Sequence, residues 1–247
     1  MRIAAAFCAI APAMAGCGGN NTESTVQAPG ADTSATTDAL EAGAALLQDK
    51  PPLGALDAYL DGFHFYNGDL EGQMEAHHYC GHLNEDITQC VIYDGNTGNA
   101  KLMGVEYILS GRLFERLPAA EKHLWHSHAY EVKSGQLIAP GIPQAAEKAL
   151  MRKIAGTYGK TWHTWHTDQG EELPLGSPAL MMGFTRDGQA DETMVDARDR
   201  RFGISTEANR ELRKDLPSPA IDPEADAWQK GIVMQVRTER AQSGSAR

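Results

Sequence analysis

The apolar and polar positions of the chain change period several times between residues 50 and 235. "PPLGALDAYLDGFHFYNGDLEG" opens on a proline pair and sets Leu53, Leu56 and Leu60 at helical spacing before Gly62, Gly68 and Gly72 loosen it. That predicts a short helix and a loop. "QMEAHHYCGHL" and "ITQCVIYDG" flank Asn84-Glu85-Asp86, and the Ile, Val and Tyr of the second run predict two strands joined by a three-residue turn. "KLMGVEYILS" predicts a third strand, buried on both sides except at Glu106. In "GRLFERLPAAEKHLWHSHAYEVKSG" the period lengthens. Leu124, Trp125, His128, Ala129 and Val132 fall on one helical face, with Pro118 suited to a first turn and Gly135 to a C-terminal cap. The expectation is one helix from Pro118 to Ser134.

"YGKTWHTWHTD" alternates again and "ALMMGF" is a short apolar run, predicting two more strands. Beyond Thr185 the chain turns polar, with a charged helix near "TEANRELRKDL" opened by Ser205. Hairpins first, helices between, and no regular alternation of strand and helix predict an α+β domain. Its sheet should be largely antiparallel, built from hairpins with a few packed helices, as a single domain over residues 47–240 and a disordered tail over 241–247.

The N-terminus changes the picture. Arg2, the short apolar stretch Ile3 to Met14, and the small pair Ala15-Gly16 before Cys17 have the form of a secretion signal over residues 1–16. A Cys in that place resembles the acylated residue of bacterial lipoproteins. The other reading is an ordinary signal cut near Ala15. On the lipoprotein reading, residues 17–46 carry the lipid on Cys17 and form a flexible tether, since they are rich in Asn, Thr, Ser, Ala and Gly. The expected place is a bacterial cell envelope, lipid-anchored and facing the periplasm. The net charge of −11 argues against nucleic acid as a partner, and against attraction to an anionic leaflet.

Candidate chemistry gathers in "EAHHYCGHLNEDITQCVIYD". Counting outward from the turn with Leu83 opposite Ile87 makes Cys80 and Cys90 direct cross-strand neighbours. It also puts His78, Cys80, His82 and Cys90 on one face. Two readings stand. The pair closes a disulfide in an oxidising compartment, or both thiolates join a histidine as ligands for zinc or another divalent metal. His78 and His82 are about 13 Å apart along a strand, so only one completes such a site.

"LWHSHAYE" depends on the helix. On a helix His126 and His128 diverge while His128 and Glu131 are neighbours. On a strand, His126 and His128 would face the same way like a metal pair. The helix reading favours His128 with Glu131. His163 and His166 fall on opposite strand faces, so "WHTWH" is not a metal motif, and its tryptophans are expected to pack. The chain has no GxSxG, HExxH or phosphate-binding glycine loop.

"AHHYCGHLNEDITQCVIYD", "AKLMGVEYILSGRLFERLP", "LWHSHAYEVKSG", "TYGKTWHTW" and "LPLGSPALM", in that order, resemble the oil body-associated proteins of plant seeds and their fungal and bacterial relatives. The resemblance implies a single-domain family named for association with seed lipid bodies. It brings no reaction or catalytic residue with it. The signal, Cys17 and the tether depart from the plant pattern, as does His163 where the resemblance leads one to expect Cys. Cysteines retained in a cytosolic plant relative would add weight to free thiols or metal ligands, so both cysteine readings stay open.

The leading functional expectation is a membrane-tethered protein holding a lipid-like or other small ligand near His78, Glu106, His128 and Glu131. The alternatives are a metal-dependent enzyme, with His78, Cys80, His82 and Cys90 as candidate ligands, and a structural scaffold.

Overall fold

The computed structural model of the protein describes residues 21–236. Helices α1 (Ala35–Leu47) and α2 (Pro51–Gly54) precede strands β1 (Ala58–Tyr66), β2 (Asp69–Asn84), β3 (Ile87–Tyr93) and β4 (Leu102–Ser110). Then come α3 (Gly111–Phe114), α4 (Ala119–Lys122), β5 (His126–Ser127), α5 (Ala129–Ser134) and α6 (Gln144–Ile154). Strands β6 (Thr157–His163) and β7 (Ala179–Met182) and helices α7 (Glu192–Phe202) and α8 (Thr206–Leu212) complete the domain.

The sheet is antiparallel and grows from hairpins, as the sequence predicts, but it is not open. Strand order runs β4-β3-β2-β1-β7-β6, and β6 pairs back onto β4 from Gly104↔His163 to Ser110↔Thr157. Six strands therefore close into a barrel. The short β5 lies beside β6 at Gly159 and Tyr158, on the edge that β7 occupies further along. Closure joins segments some fifty residues apart, and a pairing of that range leaves no local mark in the sequence.

Cross-strand partners share a face, so the ladders trace the barrel's interior. One rung runs Cys80↔Cys90↔Glu106↔Thr161↔Met181, and the next runs Leu60↔His78↔Ile92↔Gly104↔His163. Apart from Gly104, which is also buried, each of these residues has under a tenth of its surface exposed. The burial expected for β4 is reversed: Glu106 is 2 % exposed inside the barrel, while Val105 and Tyr107 on the other face are 36 % and 47 % exposed. The outer face of β1 and β7 is apolar too, with Phe63, Phe65, Leu180, Met182 and Phe184 forming one cluster.

Several sequence expectations change. The helix through Leu53, Leu56 and Leu60 is only the single turn of α2, and Leu60 lies in β1. That strand is buried on both faces, so it lacks the alternation that would mark it. Gly62 sits mid-strand, where an added Cβ would meet Leu137 Cδ1 at 3.1 Å. The predicted helix Pro118–Ser134 is broken into α4, β5 and α5, because His126 pairs with Gly159. Its expected cap holds: Gly135 ends α5 in the left-handed region at φ 85°.

The turn of the β2–β3 hairpin is tighter than predicted, with Asn84 opposite Ile87 and a bulge at Leu83. The Asn84 side chain accepts the N–H groups of Asp86 and Ile87. The run expected as a tether contains α1, capped by Ser34 and with no buried residue. Thr22 and Ser24 hydrogen-bond Asn96 and Asp94. The signal, Cys17 and the tail lie outside the described residues.

Candidate metal centre

Cys80 and Cys90 form a disulfide, with an S–S distance of 1.99 Å and Cα atoms 4.1 Å apart. The register read from the sequence is right, and the thiolate ligand set is not: a bridged sulfur has no lone thiolate to give. His82, at the hairpin end, is exposed. Of the residues His78, Cys80, His82 and Cys90, only His78 reaches a polar centre.

That centre is built round Glu106. Oε2 of Glu106 lies 3.2 Å from Nε2 of His78, and Oε1 lies 3.2 Å from Nε2 of His128 and 3.5 Å from Nε2 of His126. Glu131, on the first turn of α5, approaches His126 Nε2 at 4.0 Å. His64 brings its ring within 5.8 Å of His126 and 4.9 Å of His78, centroid to centroid, and its Nδ1 lies 3.3 Å from Nε2 of His163. All of these side chains are buried.

Hydrogen bonding fixes two of the rings. His78 Nδ1 faces the Ala76 carbonyl at 3.1 Å, and a carbonyl only accepts. Nδ1 therefore carries the proton. His128 Nδ1 faces Thr157 Oγ1 at 2.8 Å, and that hydroxyl already donates to the Ile154 carbonyl at 2.7 Å. Here too Nδ1 is the donor. Both rings consequently turn Nε2, the lone-pair nitrogen of that tautomer, toward the two oxygens of one carboxylate. Acceptor cannot face acceptor at that range. A second proton on each ring, or a cation, has to stand between. Anchoring Nδ1–H on a backbone or hydroxyl oxygen is also how metal-binding histidines are commonly oriented.

Other atoms point the same way. Both nitrogens of His126, Oε2 of Glu131 and Nδ1 of His163 are buried without a hydrogen-bond partner. Such orphans cost about 1–3 kcal/mol each unless something satisfies them. Burial holds His126 and His163 down at about 3, and His64 well below its ordinary value, so these rings are neutral and each carries one lone-pair nitrogen. Burial would raise Glu106, but with Nε2 of His128 and His78 protonated their hydrogen bonds and charge outweigh it and hold the group well below its ordinary value. Burial, with Glu106 and Asp226 nearby, pushes Glu131 well up.

Donor atoms of His64, Glu106 and His126 lie within 4.8 Å of one another, as do those of His126, His128 and Glu131. Glycine makes the room. A Cβ at Gly159 would fall on Glu106 Oε1 and lie 2.8 Å from His128 Nε2, and one at Gly183 would lie 2.7 Å from Glu131 Oε2. The remaining cavity is about 10 Å³. It admits a single water or ion and no lipid.

The four residues expected around a ligand, His78, Glu106, His128 and Glu131, are thus brought together. His64, His126 and His163 are additions. His64 lies in a segment whose sequence predicts a loop, and His126 in one whose sequence predicts a helix. His163 shares the interior face only once β6 is paired with β4.

A further group, Asp61, Glu75 and His77, lies on the outer face of β1 and β2. It already has its cations: Asp61 pairs with the fully buried Arg198 at 2.9 Å, and Glu75 with Arg201. It reads as an ion-pair network.

A family model described as "Protein of unknown function (DUF1264)" matches residues 50–217, which include every strand and every residue of the Glu106 centre. Oil body-associated protein 1B of Arabidopsis thaliana is 43 % identical over 220 residues, covering 88 % of this chain and 91 % of its own. Oil body-associated protein 1A of Zea mays is 44 % identical over 214 residues, covering 86 % and 90 %. Oil body-associated protein 2A of Zea mays is 41 % identical over 215 residues, covering 84 % and 85 %. No solved structure matches the chain. On identity of this level along most of both chains, with the family model spanning the whole barrel, the chain belongs to the DUF1264 family, with the plant oil body-associated proteins among its relatives.

Proposed function

We propose that the barrel is a metal-binding domain that holds one divalent cation at Glu106, His126 and His64, with His78, His128 and Glu131 closing round it, for metal-assisted chemistry on a small substrate. The observation that carries this is the pair of histidines whose Nδ1–H groups are spent on Ala76 and Thr157 and whose Nε2 atoms meet on one carboxylate. Two ring protons in a buried site are the alternative to one divalent ion, and the ion also gives one of the two unpartnered nitrogens of His126 a partner. A set of imidazole and carboxylate ligands suits zinc, iron or manganese. Bound there with one position left open, the ion would activate water.

The test is elemental analysis of the purified chain beside Glu106→Gln and His126→Ala variants. About one equivalent of a transition metal per chain, lost in both variants, is expected. A folded chain that neither carries metal nor takes up zinc, manganese or iron on titration would overturn the reading.

The sequence around Cys17 supports a separate proposal, attachment to a membrane through an acyl group on that residue. No helix among the described residues is long and apolar enough to cross a membrane. Cys17→Ser should release the protein from the membrane fraction. Retention of the variant, with no acyl mass on the native protein, would refute it. The oil-body association in the relatives' names belongs to those proteins. A lipid-like ligand in this chain would have to approach the centre from outside the cavity beside Glu106.

A further inference from the structure

A second cavity, of about 70 Å³, opens above the centre between the tip of the β2–β3 hairpin and the last turn of α6. It shares Leu60, Ile108 and Ile154 with the small cavity at Glu106, so the two are stacked end to end along the barrel. At the other end the barrel is filled by Tyr66, Met74 and Met181. Its wall continues into that of the centre.

The lining is divided by polarity. Ala58, Leu150 and the Cys80 half of the disulfide join the three shared aliphatic residues to make the deep wall. The hairpin side of the lining is polar: His82, Asp86, Thr88 and Ser110 lie there, Asp86 already paired with Arg112 and Ser110, and Lys153 and Glu85 face each other at 3.5 Å across the opening, 69 % and 91 % exposed. At the deep end sits Thr157, whose hydroxyl holds His128 Nδ1. Against the aliphatic wall an ionised group would lose hydration without a partner, whereas an aliphatic group would lose nothing and cover that wall.

We infer that this vestibule binds a short aliphatic segment of a small molecule, methyl end inward toward Glu106 and polar end at Lys153 and Glu85. For its chemical consequence this rests on the metal centre proposed above; the binding itself does not. The size selects a few methylene groups rather than a whole long acyl chain. The orientation brings carbon, not a charged head, to the centre.

The experiment titrates the full chain, metal-loaded and metal-stripped, with the primary alcohols from 1-butanol to 1-octanol, following binding by NMR. Affinity should rise about fourfold per added methylene until the vestibule is full and then level off. Leu150→Trp, and independently Ala58→Phe, should weaken binding at least tenfold while leaving metal content unchanged. In protein loaded with manganese, relaxation should be faster for the terminal methyl protons than for those beside the hydroxyl.

No saturable binding, binding indifferent to both substitutions, or faster relaxation at the hydroxyl end would each overturn the inference. If the chain takes up no metal but the metal-stripped protein binds alcohols as described, the vestibule stands and the metal centre falls. Metal uptake without alcohol binding gives the reverse.

Discussion

His128 and Glu106 meet at 3.2 Å, nitrogen to oxygen, while the other nitrogen of the ring is held 2.8 Å from Thr157 Oγ1. A hydroxyl more than twenty residues further along the chain thus decides which nitrogen faces the carboxylate. Thr157→Val removes that hydroxyl at nearly constant volume. Metal affinity, measured by competition with a chromophoric chelator, should fall roughly 10–100-fold, the usual effect of losing an orienting partner. An unchanged affinity would mean that His128 is not a ligand.

Gly159→Ala places a methyl group on Glu106 Oε1. The carboxylate has nowhere to retreat, because His78 and His128 flank it. A loss of about 1–3 kcal/mol in denaturant unfolding is expected, as for other overpacked cores, together with loss of bound metal. Gly98→Ala, where nothing lies within 4 Å, is the control and should change neither.

The disulfide makes a prediction of the opposite kind. Its two half-cystines are ten residues apart in sequence, and replacing both with serine should cost about 2–4 kcal/mol of stability. Metal content should stay the same, because the ligands are nitrogen and oxygen atoms. A paired Cys80→Ser, Cys90→Ser variant that folds and binds no metal would return the sulfurs to the ligand set.

Asp226 supplies the pH dependence. Burial raises it to about 7, against the Ser127 N–H that its carboxylate accepts at 3.1 Å. A folded-state value above the unfolded one means that the folded chain holds the extra proton. The associated stability is fully present below pH 4 and is lost as pH rises through 7. Asp226→Asn keeps an acceptor for Ser127 and removes the ionisation. The variant should gain on the wild type as pH rises from 4 to 7, by ~1.4 kcal/mol per pH unit, and level off above 7. Denaturant melts of both proteins across that range give the slope, and parallel curves would show that Asp226 ionises normally.

What the sequence disclosed, and what it withheld, follows from range. The Cys80↔Cys90 register was legible because it is counted across a single turn, and even the bulge at Leu83 did not disturb it. Glu106 and Glu131 were visible as acids in apolar runs. The meeting of His64, His126 and His163 was not, since it depends on β6 pairing with β4 and on β5 pairing with β6. "LWHSHAYE" has a sound helical pattern, and two ladder hydrogen-bond positions beside Gly159 override it. β1 was hidden for another reason: with the centre on one side and Phe63 and Phe65 packed on the other, it carries no polar face to reveal its period.

Barrel closure also limits how copies of this chain, or a partner's extended segment, can attach. Proteins that add strands to one another need an open edge with unpaired N–H and C=O groups. Each strand of this barrel has a neighbour on both sides, and the flank of β1 beyond β7 is met by Ile138 at Asp61. Growth by strand addition has little to start from. Among the described residues, side chains offer the alternative, and the outer surface of β4, where Val105 and Tyr107 are 36 % and 47 % exposed, is one sheet face that presents them.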